Sequence, residues 1–448
     1  MAFDTRDSID FGKTKIATLF SKIFFPTLLG MIFNMAFVLT DGIFIGNKVG
    51  SDGLACINLI APMMMLFSGL GLLFGIGVSV VAAIHLAKNN TKAARINVTQ
   101  AFWAAGVLAL FLGLVLYVLA EPVIRLLGTP EALFPMAEDY FLWFIPTCLF
   151  ISFETIGTFV IRLDGAPKYA MTLNMVAALV NVVMDYLLIY PMEWGLMGAA
   201  LATDIGGAVG TGMVFWYMLK RVKVLSFYRL KHSWTSVCLT LRNVGYMVRM
   251  GLPGFISEFA IATMFMAGNY AFVHYLGKDG VAAFSIACYL FPVVVMIINS
   301  VAQSAQPILS YNHGAGDTVR VRKTLRFSVA TALVCGVAAM LLLNLFCGPI
   351  VSAFLHKGLP AYELATAGIP YFTSGFIFFA INITLIGYFQ SIEKAKLASW
   401  LTILRGVVFP VVAFWVLPSV VGIPGLWLAV PASELLLLPV WVLLIKRG

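Results

Sequence analysis

An all-α integral membrane protein of twelve transmembrane helices, in two pseudo-symmetric six-helix lobes, is the fold class that three observations predict. The first is composition: of 448 residues, 61% are hydrophobic and 11% charged, with a mean hydropathy of +0.96. Soluble domains carry about 25% charged residues, so the chain belongs in a bilayer. The second is the number of apolar stretches long enough to span one, roughly 20 residues as helix, which recur about six times in each half. The third is an internal repeat. Gly50, Asp52, Gly53 and Ala55 return as Gly277, Asp279, Gly280 and Ala282, an offset of 277 − 50 = 227. Thr91 and Arg95 return as Thr318 and Arg322, Phe25-Pro26 as Leu252-Pro253, and Gly198 to Ala202 as Gly425 to Ala429, while the register slips to 230 at Gly157 and Gly387. Copies of this length are lobes rather than solenoid units, which run about 20 to 50 residues. Secondary transporters are commonly built from such repeats, with the substrate path between them.

Taken in order, the expected spans cover about 16–46, 54–86, 98–120, 138–162, 168–190 and 195–219, then 245–276, 281–312, 326–347, 366–391, 396–418 and 423–446. The basic stretch 220–244 is the longest polar connection and divides an N-terminal lobe, 1–219, from a C-terminal lobe, 245–448. Loops rich in Lys and Arg stay in the cytoplasm. On alternate connections stand only Lys48, Arg125, Lys278 and Lys357; with Arg405 inside a span, the remaining 24 of the 29 basic residues lie on the other side. Both termini and the central loop, which carries Lys220, Arg221, Lys223, Arg229, Lys231, Arg242 and Arg249, are therefore expected in the cytoplasm, with the protein in the cell inner membrane. This asymmetry accounts for the net charge of +9 without a nucleic-acid partner. The acidic start with Asp4, Asp7 and Asp10, and the length of the first apolar run, argue against a cleaved signal. Six cysteines without a CxxC pair predict neither disulfides nor a zinc site.

Within the second span, Gly69, Gly71, Gly75 and Gly77 mimic a nucleotide loop but lack the strand and turn that such a loop needs; small residues at this spacing let transmembrane helices approach closely. Met63, Met64 and Met65 are read as core or lipid-facing residues. No HExxH pair, acidic cluster or nucleophile with a base emerges, which disfavours a membrane enzyme, and no cofactor is expected.

Ionisable side chains in a bilayer cost about 2.5 to 3.5 kcal/mol at mid-helix, so each is a functional candidate. Asp41, Asp185 and Asp204 lie about 5 to 9 residues from the extracytoplasmic ends of the first, fifth and sixth spans, roughly 8 to 14 Å deep, and are expected to meet there. Asn34 precedes Asp41 by two turns on nearly the same face, and Asn174, Asn181 and Asp185 form a stripe on the fifth span. Crowded carboxylates favour retention of a proton, and the same oxygens suit Na⁺. Glu154, on the fourth span, carries no assignment. The second lobe offers Glu258, Arg405 and Glu434 near the middle of their spans, with Arg405 expected to pair with one of the two acids.

Asn34 through Thr40, Asp41 and Gly42 to Gly46, then Gly50 to Ala55 and Pro62, resemble the first two helices of the multidrug and toxic compound extrusion (MATE) family, in its prokaryotic DinF-like branch. Gln303, Ser304, Ala305, Gln306 and Pro307 through Tyr311, Asn312 and Gly314 resemble its eighth. The resemblance implies an antiporter that exports organic cations and other small amphipathic compounds while H⁺ or Na⁺ enters, by alternating access and as a monomer. It further implies a coupling site at Asp41, Asn181 and Asp185, with Pro26 matching a proline associated with bending of the first helix. Glu258 matches an acid of the Na⁺-coupled branch, but the tenth span lacks the Asp partner and offers Asn382 and Gln390 instead. A lipid-linked oligosaccharide flippase of the same superfamily is the alternative; its pyrophosphate cargo calls for a cationic cavity, whereas these spans carry one Arg against several acids.

Overall fold

The computed structural model describes residues 9–230 and 233–441; Lys231 and the C-terminal Gly448 lie outside the described residues. All regular elements among these residues are helical. In chain order they are α1 (Ile16–Lys48), α2 (Ser51–Ala87), α3 (Thr91–Val118), α4 (Thr147–Leu163, preceded by Phe134–Phe144), α5 (Pro167–Ile189) and α6 (Gly195–Lys220). The run Trp234–Gly314 is interrupted by a non-helical Gly277, which separates α7 (234–276) from α8 (278–314). Then come α9 (Thr318–Leu345), α10 (Phe376–Ser391, preceded by Pro360–Thr373), α11 (Ala395–Val421) and α12 (Ile423–Leu435). Among the described residues nine helices are long and apolar enough to cross a membrane, and two bent pairs make eleven. Dividing the longest at Gly277 gives the expected twelve.

The duplication is written into the backbone. Gly50 and Gly277, Gly195 and Gly422, and Asn89 and Gly316 have positive φ and stand 227 residues apart; Gly128 and Gly358 stand 230 apart. Positive φ is the conformation in which a Cβ is disfavoured, so these turning points are the positions where the repeat most needs Gly or Asn. Both bent pairs also correspond, with 42° between Phe134–Phe144's helix and α4 and 43° between Pro360–Thr373's helix and α10.

The chain forms two compact units. The first comprises the described residues of Met1–Glu258 with Ser310–Asp317; the second, those of Phe259–Leu309 with Thr318–Gly448. Compactness thus carries the first unit past the sequence boundary at 220–244; the division there into 1–219 and 245–448 follows the repeat and is proposed on that ground.

In the first unit, α5 packs on α6 and α1, and α2 on α4. The glycines of α2 serve close helix approach, as expected: a β-carbon added at Gly77 would stand 2.2 Å from the carbonyl oxygen of Met247, and one at Gly251 would stand 1.7 Å from that of Leu73. Asp164, at the end of α4, fastens the start of the inter-lobe connection. Its carboxylate accepts from the Tyr217 hydroxyl at 2.8 Å and from the backbone N–H groups of Lys223, Val224 and Leu225 at 2.8 to 3.0 Å. Arg95 Nε donates to the Val224 carbonyl at 2.6 Å. In the second unit, α9 packs on α10 and α11 on α12 around an aromatic core in which Phe272 stacks on Phe284 and meets Trp427 edge-on.

Candidate ion-coupling site

α1 carries Pro26 inside an otherwise continuous helix, where the missing N–H deletes one backbone hydrogen bond. One turn later, Gly30 brings α1 against α5: a β-carbon there would be 3.2 Å from Asn174 Nδ2. This approach aligns the polar edge of α1 with the stripe on α5. Asn174 accepts a long hydrogen bond from Thr158 of α4, 3.4 Å, and Asn181 Nδ2 donates to Thr203 of α6 at 3.4 Å. Thr203 and Asp204 are neighbours in the chain, and Asp204 accepts from Thr147 at 2.5 Å.

The three carboxylates stand within electrostatic reach of one phenol, that of Tyr140. Asp41 acts electrostatically on Asp185, and both act with Asp204 on the phenol of Tyr140, from the helix preceding α4. Asp185 is fully buried. Both of its side-chain oxygens, Oδ1 of Asp41 and Oδ1 of Asn181 are buried with no hydrogen-bond donor among the described residues. An ionised carboxylate taken out of water without donors is costly by several kcal/mol, so acids so placed must hold a proton or a cation. Asn34 is half-buried, two turns from Asp41, and hydrogen-bonds to none of the described residues.

The second unit holds the opposite arrangement. Arg405 Nε donates to Glu434 Oε1 at 2.7 Å, and Asn382 Nδ2 to Glu434 Oε2 at 2.6 Å and to the Glu434 carbonyl at 2.9 Å. Trp441 Nε1 donates to Asn382 Oδ1 at 2.6 Å, and the Arg405 guanidinium lies 4.5 Å from the centre of the Phe379 ring. Arg405 sits in a π-helical turn, 404–408, within α11. Of its two expected partners it takes Glu434; Glu258 falls in the first unit and makes no ion pair among the described residues. Gln306 of α8 is buried and Gln303 half-buried in the second unit.

Tyr140, Thr147, Thr158 and Thr203 had no sequence signal to single them out, because isolated hydroxyls are common in spans and only the fold brings them to the acids and amides of α5 and α6.

A model of the MatE family matches residues 26–187 and again 253–415, each the same portion of one repeat. The chain belongs to the MatE family. A FAD transporter of Shewanella oneidensis is 24% identical over 73% of this chain and 72% of its own length. The multidrug export protein MepA of Staphylococcus aureus is 21% identical over 95% of this chain and 92% of its own length. Among solved structures, a MOP superfamily transporter from Pyrococcus furiosus superposes with a TM-score of 0.89 at 18% identity, covering 98% of this chain and 96% of that one. The Vibrio cholerae MATE transporter VcmN gives 0.88 at 21%, covering 96% and 97%. At these identities the structures establish the fold. As a MatE protein with this many apolar helices, the chain is a multi-pass membrane transporter and not an enzyme.

Proposed function

We propose that this transporter is a cation-coupled antiporter that exports organic cations and other small amphipathic compounds while H⁺ or Na⁺ enters through the first unit. The observation that carries the reading is the unpartnered state of Asp185 and of Asp41 Oδ1: acids this deep, this close and without donors are poised to exchange a cation. Asn181 Oδ1 supplies a further oxygen, with Asp204, Asn174 and Asn34 as flanking groups. No cofactor enters the scheme. The multidrug export function named for the MepA relatives supports the cargo class, and the commitment of Arg405 to Glu434 supports cationic over anionic cargo, since it removes that guanidinium from service to a phosphate. Glu258, Gln303 and Gln306 are proposed as polar positions along the cargo path, and Pro26 as a point of bending in α1.

The FAD transporter relative supports one rival, an anionic dinucleotide cargo, and the flippase reading is a second. Export by purified protein in liposomes separates these: proton and sodium gradients are imposed separately, with a fluorescent organic cation and FAD as alternative cargoes. Export of the cation under at least one gradient, without FAD movement, is expected; FAD movement alone overturns the cargo assignment.

The proposed orientation places both termini in the cytoplasm of a monomer in the cell inner membrane. Cys238 is exposed near the start of Trp234–Gly314. A membrane-impermeant maleimide is therefore expected to label it in inverted vesicles and not in intact cells, with Cys238→Ser removing the signal. Labelling of intact cells would reverse the topology.

A further inference from the structure

Below the carboxylates, one acid remains unexplained. Glu154 of α4 points its carboxyl at the α5–α6 crossing, where a β-carbon added to Gly210 would stand 2.9 Å from its Cδ and 3.0 Å from Oε2, and 3.2 Å from Cβ of Ala177. One turn earlier on α6, Gly206 faces Ala177 and Asn181 in the same way, with a β-carbon 2.9 Å from the Ala177 carbonyl and from Asn181 Cβ. Glu154 therefore lies about one helical turn, roughly 5 Å, to the cytoplasmic side of Asn181. The order along α4 agrees. Thr147 holds Asp204, Glu154 follows about 10 Å below at 1.5 Å per residue, Thr158 then reaches Asn174, and Arg162 ends the series near the cytoplasm. The Glu154 carboxyl meets the uncharged Gly210, and it has no hydrogen-bond partner among the described residues. Its titratable neighbours along these helices are Asp204 and Asp185 on the outer side and Arg162 on the inner. A structural acid would have been given a donor; a station that must take up and release a proton is better without a permanent one.

We propose that Glu154 is a proton relay between the Asp41–Asp185 site and the cytoplasm. This rests on the coupling reading above and on its proton form. A proton leaves the Asp185 or Asp41 carboxyl for an intervening water, that water passes one proton to the Glu154 carboxylate, and Glu154 gives it to cytoplasmic water. Glu154 gains one proton and loses one, ending as it began, while the donating aspartate is left ionised until a proton from the outer side restores it. The Thr203 and Thr158 hydroxyls, able to donate and accept, stand above and below the station.

The test compares Glu154→Gln, Glu154→Asp and Asp41→Asn in liposomes by two readouts: export of a fluorescent organic cation driven by a proton gradient, and counterflow of the same cation at equal pH, which requires no net proton transfer. For Glu154→Gln the expected result is a tenfold or greater fall in the maximal rate of driven export at unchanged KM, with counterflow within twofold of wild type. Glu154→Asp should recover driven export to within threefold of wild type. Wild-type export by Glu154→Gln overturns the relay. So does equal loss of both readouts, or a Glu154→Gln protein that fails to fold, because either makes the residue structural or cargo-binding. Driven export by Asp41→Asn, or wild-type export driven by sodium alone, would refute the proton-coupling reading itself, a failure visible independently of Glu154.

Discussion

The first and second units carry their buried charge in contrary ways on one duplicated backbone. In the second, every polar group in the centre of the cluster is answered: Glu434 by Arg405 and Asn382, and Asn382 by Trp441. In the first, Asp185 has no donor for either oxygen and Asp41 none for Oδ1, while Asp204 has Thr147. A saturated network in a low-dielectric interior is rigid, and removing one member leaves the others exposed to the full desolvation cost. An unsaturated one stores that cost until a cation arrives. Under the proposed function the second cluster anchors and the first exchanges the ion, so substitutions in each should fail differently.

The largest effect on transport is expected from Asp41→Asn, which keeps size and removes charge. Gradient-driven export should fall to the level of empty liposomes, while thermal unfolding occurs at or above the wild-type temperature because no partner is lost. A mutant that exports normally would erase the distinction between the two units.

The largest effect on folding is expected from Arg405→Met, which strands Glu434. A loss of about 3 to 5 kcal/mol is typical when one partner of a buried pair is removed. The double change Arg405→Met with Glu434→Gln should recover most of the folded yield, measured by thermal unfolding, since both charges are then gone. Absence of rescue would mean that the pair does more than neutralise itself.

Asp204→Asn should be intermediate. The Thr147 hydroxyl can still donate to the amide oxygen, so the protein should fold and export at a rate within about tenfold of wild type, as befits a group supporting rather than holding the ion. A loss as complete as that of Asp41→Asn would move Asp204 into the ion site.

The smallest effect concerns the loop between α5 and α6, where Glu193 receives a hydrogen bond from Lys48 at 2.9 Å. That bond, with the lysine's charge, holds the Glu193 carboxyl below the usual range. A depressed folded value contributes stability above the unfolded pKa and loses it as pH falls through the folded one. Both side chains are exposed, so Glu193→Gln should change the unfolding temperature little at neutral pH and not at all below that acid range. A large change would show that the loop is a structural tie.

Much of the fold was legible in the chain because its determinants are local. Spanning length is a property of consecutive apolar residues, and the repeat is marked by Gly50 and Gly277, whose positive φ few other residues tolerate. Counting residues from helix ends also singled out Asp41, Asp185 and Asp204, which share electrostatic reach of Tyr140. Azimuth and partner choice were not legible. Arg405 had two acids at suitable depth, and only the packing of α10, α11 and α12 decided for Glu434. Tyr140, Thr147 and Thr203 carry no charge to mark them, and Glu154 could be placed only once Gly210 was seen against it.

By itself, then, the sequence determined the membrane class and the duplication, since hydropathy and rise per residue act along a single chain. The tertiary structure alone decided which acids are answered and which are not, because a hydrogen bond depends on the distance and direction between helices far apart in sequence.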